Sequence, residues 1–289
     1  MNPILVIGGL NLDILGMPDG AFSYRDSLIG RVRMAPGGVG RNISEHIARH
    51  GQAVELMTVL GSDHFSAMLE SSCRELCIGL RHALRTQESS CVYLAVHDAQ
   101  GDMAVAVNDM AAMRLLDAKS LDTLPKDGFS ACVLDANLSE ETLAAAAERL
   151  NLPLVADPVS CEKALRLLPI LPRLTALKPN LKEALALTGR DSLSEAASAL
   201  LDKGVRQVYI SLGKDGLYCA SGDERLRLPP IPVPKAPATG AGDAMTAGLV
   251  CAIAQHLSLR ACAENGLRFA GEHLSRMAAI SAAPERENE

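Results

Sequence analysis

The stretch PATGAGDAMTAGL, Pro237 to Leu249, sets two glycines, an alanine and an aspartate where a proline-rich segment gives way to an apolar run. Glycines let a backbone approach a ligand closely and adopt positive φ. The residues that follow are good helix formers, and a helix is predicted over Ala241–His256. Its first N–H groups would point outward from an end carrying roughly +0.5 charge, which makes an anion hole. Three readings compete for Asp243: a carboxylate that only caps the helix, part of a dinucleotide loop, or a base beside bound phosphate. The dinucleotide reading fails on detail. A G-x-G-x-x-G loop follows an N-terminal strand, whereas here Met245 stands at the third glycine position and prolines precede the loop. A P-loop fails too, because Gly213-Lys214 is followed by Asp215 and Val208 stands where its first glycine belongs.

Other glycine-led stretches lie upstream. In Gly8-Gly9-Leu10-Asn11-Leu12-Asp13 a strand over Ile4–Ile7 runs into an amide and a carboxylate two residues apart, on one side of an extended chain. A carboxylate there could accept from vicinal hydroxyls, or the stretch is a polar loop. Pro36-Gly37-Gly38-Val39-Gly40-Arg41-Asn42 opens another helix, with Asn42 in its first turn. Asn180 and Glu183, after Lys178-Pro179, share a helix face. They could order phosphate or Mg2+-bound water, or form a capping box. Ser211 to Gly216 is a turn between two strands, and Asp157-Pro158 closes another.

Strands are predicted at Ile4–Ile7, Val54–Val59, Ala131–Leu134, Leu154–Ala156, Ala176–Leu177, Val208–Ser211 and Leu217–Cys219. Helices are predicted at Val39–His50, Phe65–Cys77, Ser139–Leu150, Leu181–Thr188, Ser194–Lys203, Ala241–His256 and Leu259–Met277. That alternation reads as α/β with a mostly parallel sheet. Two β-like segments break it, a hairpin over Cys91–Val107 and the stretch Leu15–Met34. They form either a small sheet acting as a lid or an edge extension of the main sheet. Leu228 to Pro237 holds five prolines and reads as extended chain, and APERENE at the end reads as disordered. The 289 residues carry a net charge of −6 with no basic block, which argues against nucleic-acid or anionic-membrane binding. Eight cysteines without C-x-x-C read as reduced core thiols, and a zinc site is not expected. The N-terminus lacks the basic flank of a signal peptide, so a cytoplasmic protein is expected.

Each of these signals is weak alone, but their order resembles the ribokinase-like (PfkB) sugar and nucleoside kinases, from about Ile4 to Met277. The resemblance implies a single domain over 1–289: a central mostly parallel sheet flanked by helices, with a β-sheet lid from about 15–35 and 88–110. It implies ATP-dependent, Mg2+-assisted phosphorylation of a primary hydroxyl on a small sugar or nucleoside. Asp243 is then the general base, and Gly240, Ala241 and Gly242 hold the transferring phosphoryl group. The positive helix end is expected to keep Asp243 ionised. By the same resemblance Asn11, Asp13, Gly37, Gly38, Asn42 and Asn137 bind substrate. Lys178, Asn180, Ser211, Gly213, Gly216, Thr239 and Asn265 lie around ATP, and Glu183 orders the metal through water. The stretches GGVGRNIS, AVNDM, DPVS and TALKPN point to the nucleoside-directed side of the family, with Asn108 after the hairpin as the reader of a base edge or else a turn residue. The family pattern carries an aspartate ahead of T-G-A-G-D that helps bind a monovalent cation. Ala238 precedes that run here, which puts K+ activation in doubt. Lid sheets in the family often pair two subunits, so a homodimer through the lid is a further expectation.

Overall fold

The computed structural model describes residues 2–98, 100, 102–125, 127–233 and 239–282. Runs such as ILVI (Ile4–Ile7), CVLD (Cys132–Asp135) and LVAD (Leu154–Asp157) are buried on both faces, as strands of a covered parallel sheet are. Seven strands lie parallel in the order Ile78–Gly79, Val54–Met57, Ile4–Ile7, Cys132–Asp135, Leu154–Asp157, Ala176–Leu177 and Gln207–Ser211. Leu217–Ser221 and Glu224–Leu228 extend the sheet antiparallel at one edge. Side chains alternate between two cores. Leu5 and Ile7 join the core that includes Leu143, Leu187 and Leu200 from helices Glu140–Arg149, Leu181–Thr188 and Leu193–Asp202. Ile4 and Val6 join the core that includes Ile43, Leu249 and Phe269 from helices Val39–Arg49, Ala241–Ile253 and Leu259–Ala282. Strand order reverses at Ile4–Ile7, whose neighbours are Val54–Met57 on one side and Cys132–Asp135 on the other. Open α/β sheets bind ligands outside the strand C-termini at such a switch point, and Gly8 and Gly9 follow it directly.

The odd β segments form a sheet of their own rather than an edge of the large one, in the order Gly30–Gly37, Asn11–Pro18, Val92–His97 and Met103–Asp109. Its register sorts the side chains by face. Ile14, Val32, Met34, Leu94, Val105 and Val107 share one face, and all but Ile14 are markedly exposed. Ala35, Asp13, Tyr93 and Asn108 form a row across the other. A two-stranded sheet, Val59–Leu60 with Leu84–Arg85, completes the strands described.

Several expectations are corrected. Glu224–Leu228 was missed because its pattern is mostly polar, as suits the edge it occupies. The short helix Cys161–Ala164 and the 3-10 segment Leu165–Arg173 were also missed, the latter carrying Pro169 and Pro172. Cys77 lies beyond the helix His64–Glu75, at φ 58, and it and Cys161 are exposed rather than core thiols. Leu228 ends the strand Glu224–Leu228 and Pro229 to Val233 have no regular structure, while the rest of the proline-rich segment, Ala238 and the tail APERENE lie outside the described residues.

Candidate active site

The helix Ala241–Ile253 starts from Gly240 at φ 82, with no side chain capping its first N–H groups. An added Cβ at Gly242 would lie 3.2 Å from Lys178 Nζ, so the loop runs directly against that cation. Asp243 occupies the third helical position and does not close the helix end. Its Oδ2 accepts from Asn42 Nδ2 at 3.0 Å. Asn42 comes from the helix Val39–Arg49, whose start at Gly38 (φ 101) is likewise uncapped. Gly38 and Gly40 press on the Gly8–Gly9 turn: added Cβ atoms would lie 2.4 Å from the Gly9 carbonyl oxygen and 2.8 Å from the Gly8 carbonyl carbon. Two glycine-led helix starts therefore converge at the switch point, joined through Asn42 and Asp243.

Behind Asp243 lies a buried ion pair. Lys178 Nζ is 2.9 Å from Asp157 Oδ2, and Thr246 Oγ1 donates to the same oxygen at 2.8 Å. Val159 is held at φ 66, costly for a β-branched residue, and its N–H donates to Asp157 Oδ1 at 3.0 Å. Burial works against the Lys178 charge, but Asp157, Asp243 and Glu183 outweigh it and its pKa is raised. Asp243 moves opposite to the expectation from the helix end. Burial first, then the Asp157 carboxylate, push it up to about 7 against the opposing pull of Lys178 and Asn42. A base with that affinity takes a proton near neutrality.

A cavity of about 860 Å3 opens in front of this cluster. Gly240, Ala241, Gly242, Asp243, Lys178, Asn180, Glu183, Ser211, Gly213 and Gly216 all line it. Its apolar wall was not anticipated: Pro230 to Val233 from the proline-rich segment face Leu267, Ala270 and Leu274 of the last helix. Asp157 and Lys214 line it as well, and only the Asp-Pro pair closing a strand hinted at the former. Asn180 and Glu183 form a complete capping box, with bonds of 2.8 and 3.0 Å, and burial raises the Glu183 pKa. Among the described residues no group of three or more His, Cys, Asp or Glu converges as a metal cage. The carboxylates that line the cavity, Asp157, Glu183 and Asp243, are oxygen donors of the kind a hard divalent cation takes.

Two expected cavity residues lie elsewhere. Asn265 donates to the Gly248 carbonyl at 2.6 Å and accepts from Arg268 at 2.8 Å, pinning the last two helices together. Thr239 is exposed, and its carbonyl accepts from His273 Nε2 at 2.8 Å. That histidine meets the buried His46 ring edge-on, and an added Cβ at Gly240 would lie 3.0 Å from it.

Asn11, Asp13, Gly37, Asn108 and Asn137 do not line this cavity. Asn11 Nδ2 donates to Asp13 Oδ1 at 2.6 Å, and burial raises the Asp13 pKa against the pull of Asn11 and Arg41. The Asp13 carboxylate covers Gly37, where an added Cβ would clash at 2.2 Å. Asn108 is not a turn residue: it lies exposed within the edge strand Met103–Asp109, in the row with Asp13 and Tyr93. Asn137 follows the strand Cys132–Asp135, and its N–H donates to the buried Asp135 at 2.9 Å. The same carboxylate accepts from Gly9 N–H at 2.8 Å, and burial raises its pKa.

A mostly parallel sheet flanked by helices, with a separate small sheet, is the ribokinase-like fold. The chain matches the pfkB family of carbohydrate kinases over residues 1–286 and belongs to that family. Kinases of this family transfer phosphate from ATP, with a divalent metal, to hydroxyl groups of small sugars or nucleosides. Among curated relatives, pseudouridine kinase of Escherichia coli (strain K12) is 33% identical over 85% of this chain and 82% of its own. Ribokinase of Bacillus subtilis (strain 168) is 25% identical over 95% and 92%. Ribokinase of Thermotoga maritima superposes with a TM-score of 0.85 over 99% of this chain and 97% of its own at 24% identity. Arabidopsis thaliana ribokinase complexed with ribose and ATP superposes with a TM-score of 0.82 over 99% and 96% at 19% identity, so these two likenesses speak to the fold. No helix of the described residues is long and apolar enough to cross a membrane.

Proposed function

We propose that this chain is an ATP-dependent kinase that phosphorylates the 5′-hydroxyl of pseudouridine. The observation that carries the chemistry is Asp243 beside an uncapped glycine helix start, held by Asn42 at 3.0 Å and facing the cavity. The 5′-oxygen attacks the γ-phosphorus, its proton passes to Asp243, and the β–γ bridging oxygen leaves with ADP. The N–H groups of Gly240, Ala241 and Gly242 meet the charge on the transferring group, and Lys178 adds a cation behind them. ATP would lie along Lys178, Asn180, Ser211, Gly213 and Gly216, and Glu183 would hold the divalent metal through water, the metal supplying charge neutralisation to the phosphates. Asp13 takes ribose hydroxyls, with Asn11, Gly37, Gly38 and Asn42 around it, and Asn137 and Asn108 face the base. The small sheet closes over the substrate as a lid. A second copy of the chain covers its apolar outer face, and the reliance on ATP goes with a cytoplasmic location.

Similarity to the Escherichia coli pseudouridine kinase favours that substrate, and similarity to the Bacillus subtilis ribokinase over most of its length favours ribose as the second reading. ADP release with Mg·ATP, compared by kcat/KM across pseudouridine, uridine, ribose, fructose and adenosine, decides between them. Preference for pseudouridine over uridine is expected. Preference for a free sugar or for adenosine overturns the substrate and leaves the phosphotransfer chemistry standing.

A further inference from the structure

The amide of Asn42 stands between Asp243 and a buried arginine. Its Nδ2 donates to Asp243 Oδ2 at 3.0 Å, and its Oδ1 accepts from Arg41 Nη1 at 3.3 Å. A guanidinium only donates, so Arg41 fixes which end of the amide is oxygen whatever the protonation of Asp243. Arg41 is itself clamped along one helix face. Glu45 Oε2 accepts from the same Nη1, and Arg49 Nε donates to Glu45 Oε1 at 2.7 Å. Arg41 is only 8% exposed, and its Nε is buried with no partner. An unmatched buried donor costs stability, and this helix already sends Ile43 and Ile47 into the core. Packing gives no reason for a charge at this position, whereas the contact with Asn42 does.

The consequence falls on a proton. The Asn42 bond pulls the Asp243 pKa down against the burial that raises it. Once protonated, Asp243 becomes a donor itself. A free amide would then turn, accept from the acid and hold the proton there. With its oxygen kept by Arg41, the amide can only donate, which favours the ionised carboxylate. We propose that Arg41 is a positioning residue that locks the Asn42 amide as a donor to Asp243, so that the base sheds the proton it takes up and is ionised again for the next turnover. The inference rests on the reading of Asp243 as the base. Other charged or titratable groups face Asp243: Asp157, Asp135 and Lys178 at strand ends, Glu183 and Lys214 in the cavity wall, and His273 beside Gly240. None of these hydrogen-bonds to Arg41 or to the Asn42 side chain.

The acid limb of kcat against pH tests it, on full-length protein with Mg·ATP and the faster of pseudouridine and ribose. In Arg41→Met the limb is expected to move up by about one pH unit, the size of one lost charge-assisted hydrogen bond. The rate then falls below neutrality and recovers at alkaline pH. Arg41→Lys keeps a donor with less reach and is expected to move the limb the same way by less, a second reading if the methionine destabilises the helix. The double variant Arg41→Met/Asn42→Ala is expected to show the limb of Asn42→Ala alone. The pull of Arg41 on Asp13, or its direct field on Asp243, would survive the loss of Asn42, whereas control of the amide does not. A limb that stays in place in both arginine variants overturns the inference. So does a uniform fall in rate at every pH, or a shift that persists in the Asn42→Ala background. Asp243→Asn protein turning over at the wild-type rate overturns the reading of the base itself, a result separate from all of these.

Discussion

Two α-helix starts at the site differ from the five other α-helix starts whose caps are described. Helices beginning after Asp63, Ser139, Ser160, Asn180 and Ser192 each have a side chain accepting from a first-turn N–H. Those beginning after Gly38 and Gly240 have none, and both glycines sit at positive φ. A cap stabilises a helix by satisfying a donor, and leaving donors open keeps them for a ligand. The bare starts also share a partner, since Asn42 on one holds Asp243 on the other. On the function proposed above, the bare backbone at these two starts is what holds phosphate.

That contrast can be broken in several ways. The largest effect is expected from Asp243→Asn, which keeps the shape and removes the base. Turnover should fall by about 10²–10⁴-fold while ATP and nucleoside binding stay within a few-fold, read by steady-state kinetics beside calorimetry. Turnover near the wild-type rate would remove Asp243 from the proton transfer. Next come the two glycines. Gly38→Ala forces a Cβ into the Gly9 backbone as well as a left-handed backbone, and the strain alone costs about 1–2 kcal/mol. It should therefore lower the urea midpoint more than Gly240→Ala, whose Cβ meets a movable His273 ring. Gly240→Ala should instead act on kcat and on KM for ATP. Equal loss of stability in both would erase the distinction between packing and anion binding.

A pH profile tests the electrostatics. Asp243 must be ionised to accept a proton and its pKa stands near 7, so log kcat/KM should climb with unit slope below that value and flatten above it. In Asp157→Asn a carboxylate that raises Asp243 is gone and Lys178 is no longer neutralised by it. Both changes favour the ionised base, so the acid limb should move to lower pH as overall rate drops. A limb that stays in place would assign it to another group. The smallest effect is expected at an ordinary cap: Ser192→Ala should cost about 1 kcal/mol of stability, seen as a modest fall in melting temperature with kinetics unchanged.

Much of the fold could be read from periodicity. Ala176–Leu177 and Leu181–Thr188 were predicted with the bounds observed, because a buried parallel strand and a capped amphipathic helix advertise themselves locally. Glu224–Leu228 could not be, since an edge strand tolerates polar residues and its identity comes from its neighbour. The contacts Asn265 makes between the last two helices were hidden for a related reason. An Asn facing a cavity and an Asn pinning two helices look the same in a line of letters. Asp157 hid likewise among strand-end aspartates until Lys178 and Thr246 came to meet it from other elements.

By itself the sequence determined the glycine-led helix starts, the order of the motifs and the α/β frame, because these depend on spacing and local backbone freedom. Tertiary structure decided the raised proton affinity of Asp243 and the ion pair of Asp157 with Lys178. Both depend on charges and burial from elements far apart in the chain. The helix end alone favours the ionised carboxylate, whereas the surrounding burial and Asp157 push the Asp243 pKa up to about 7.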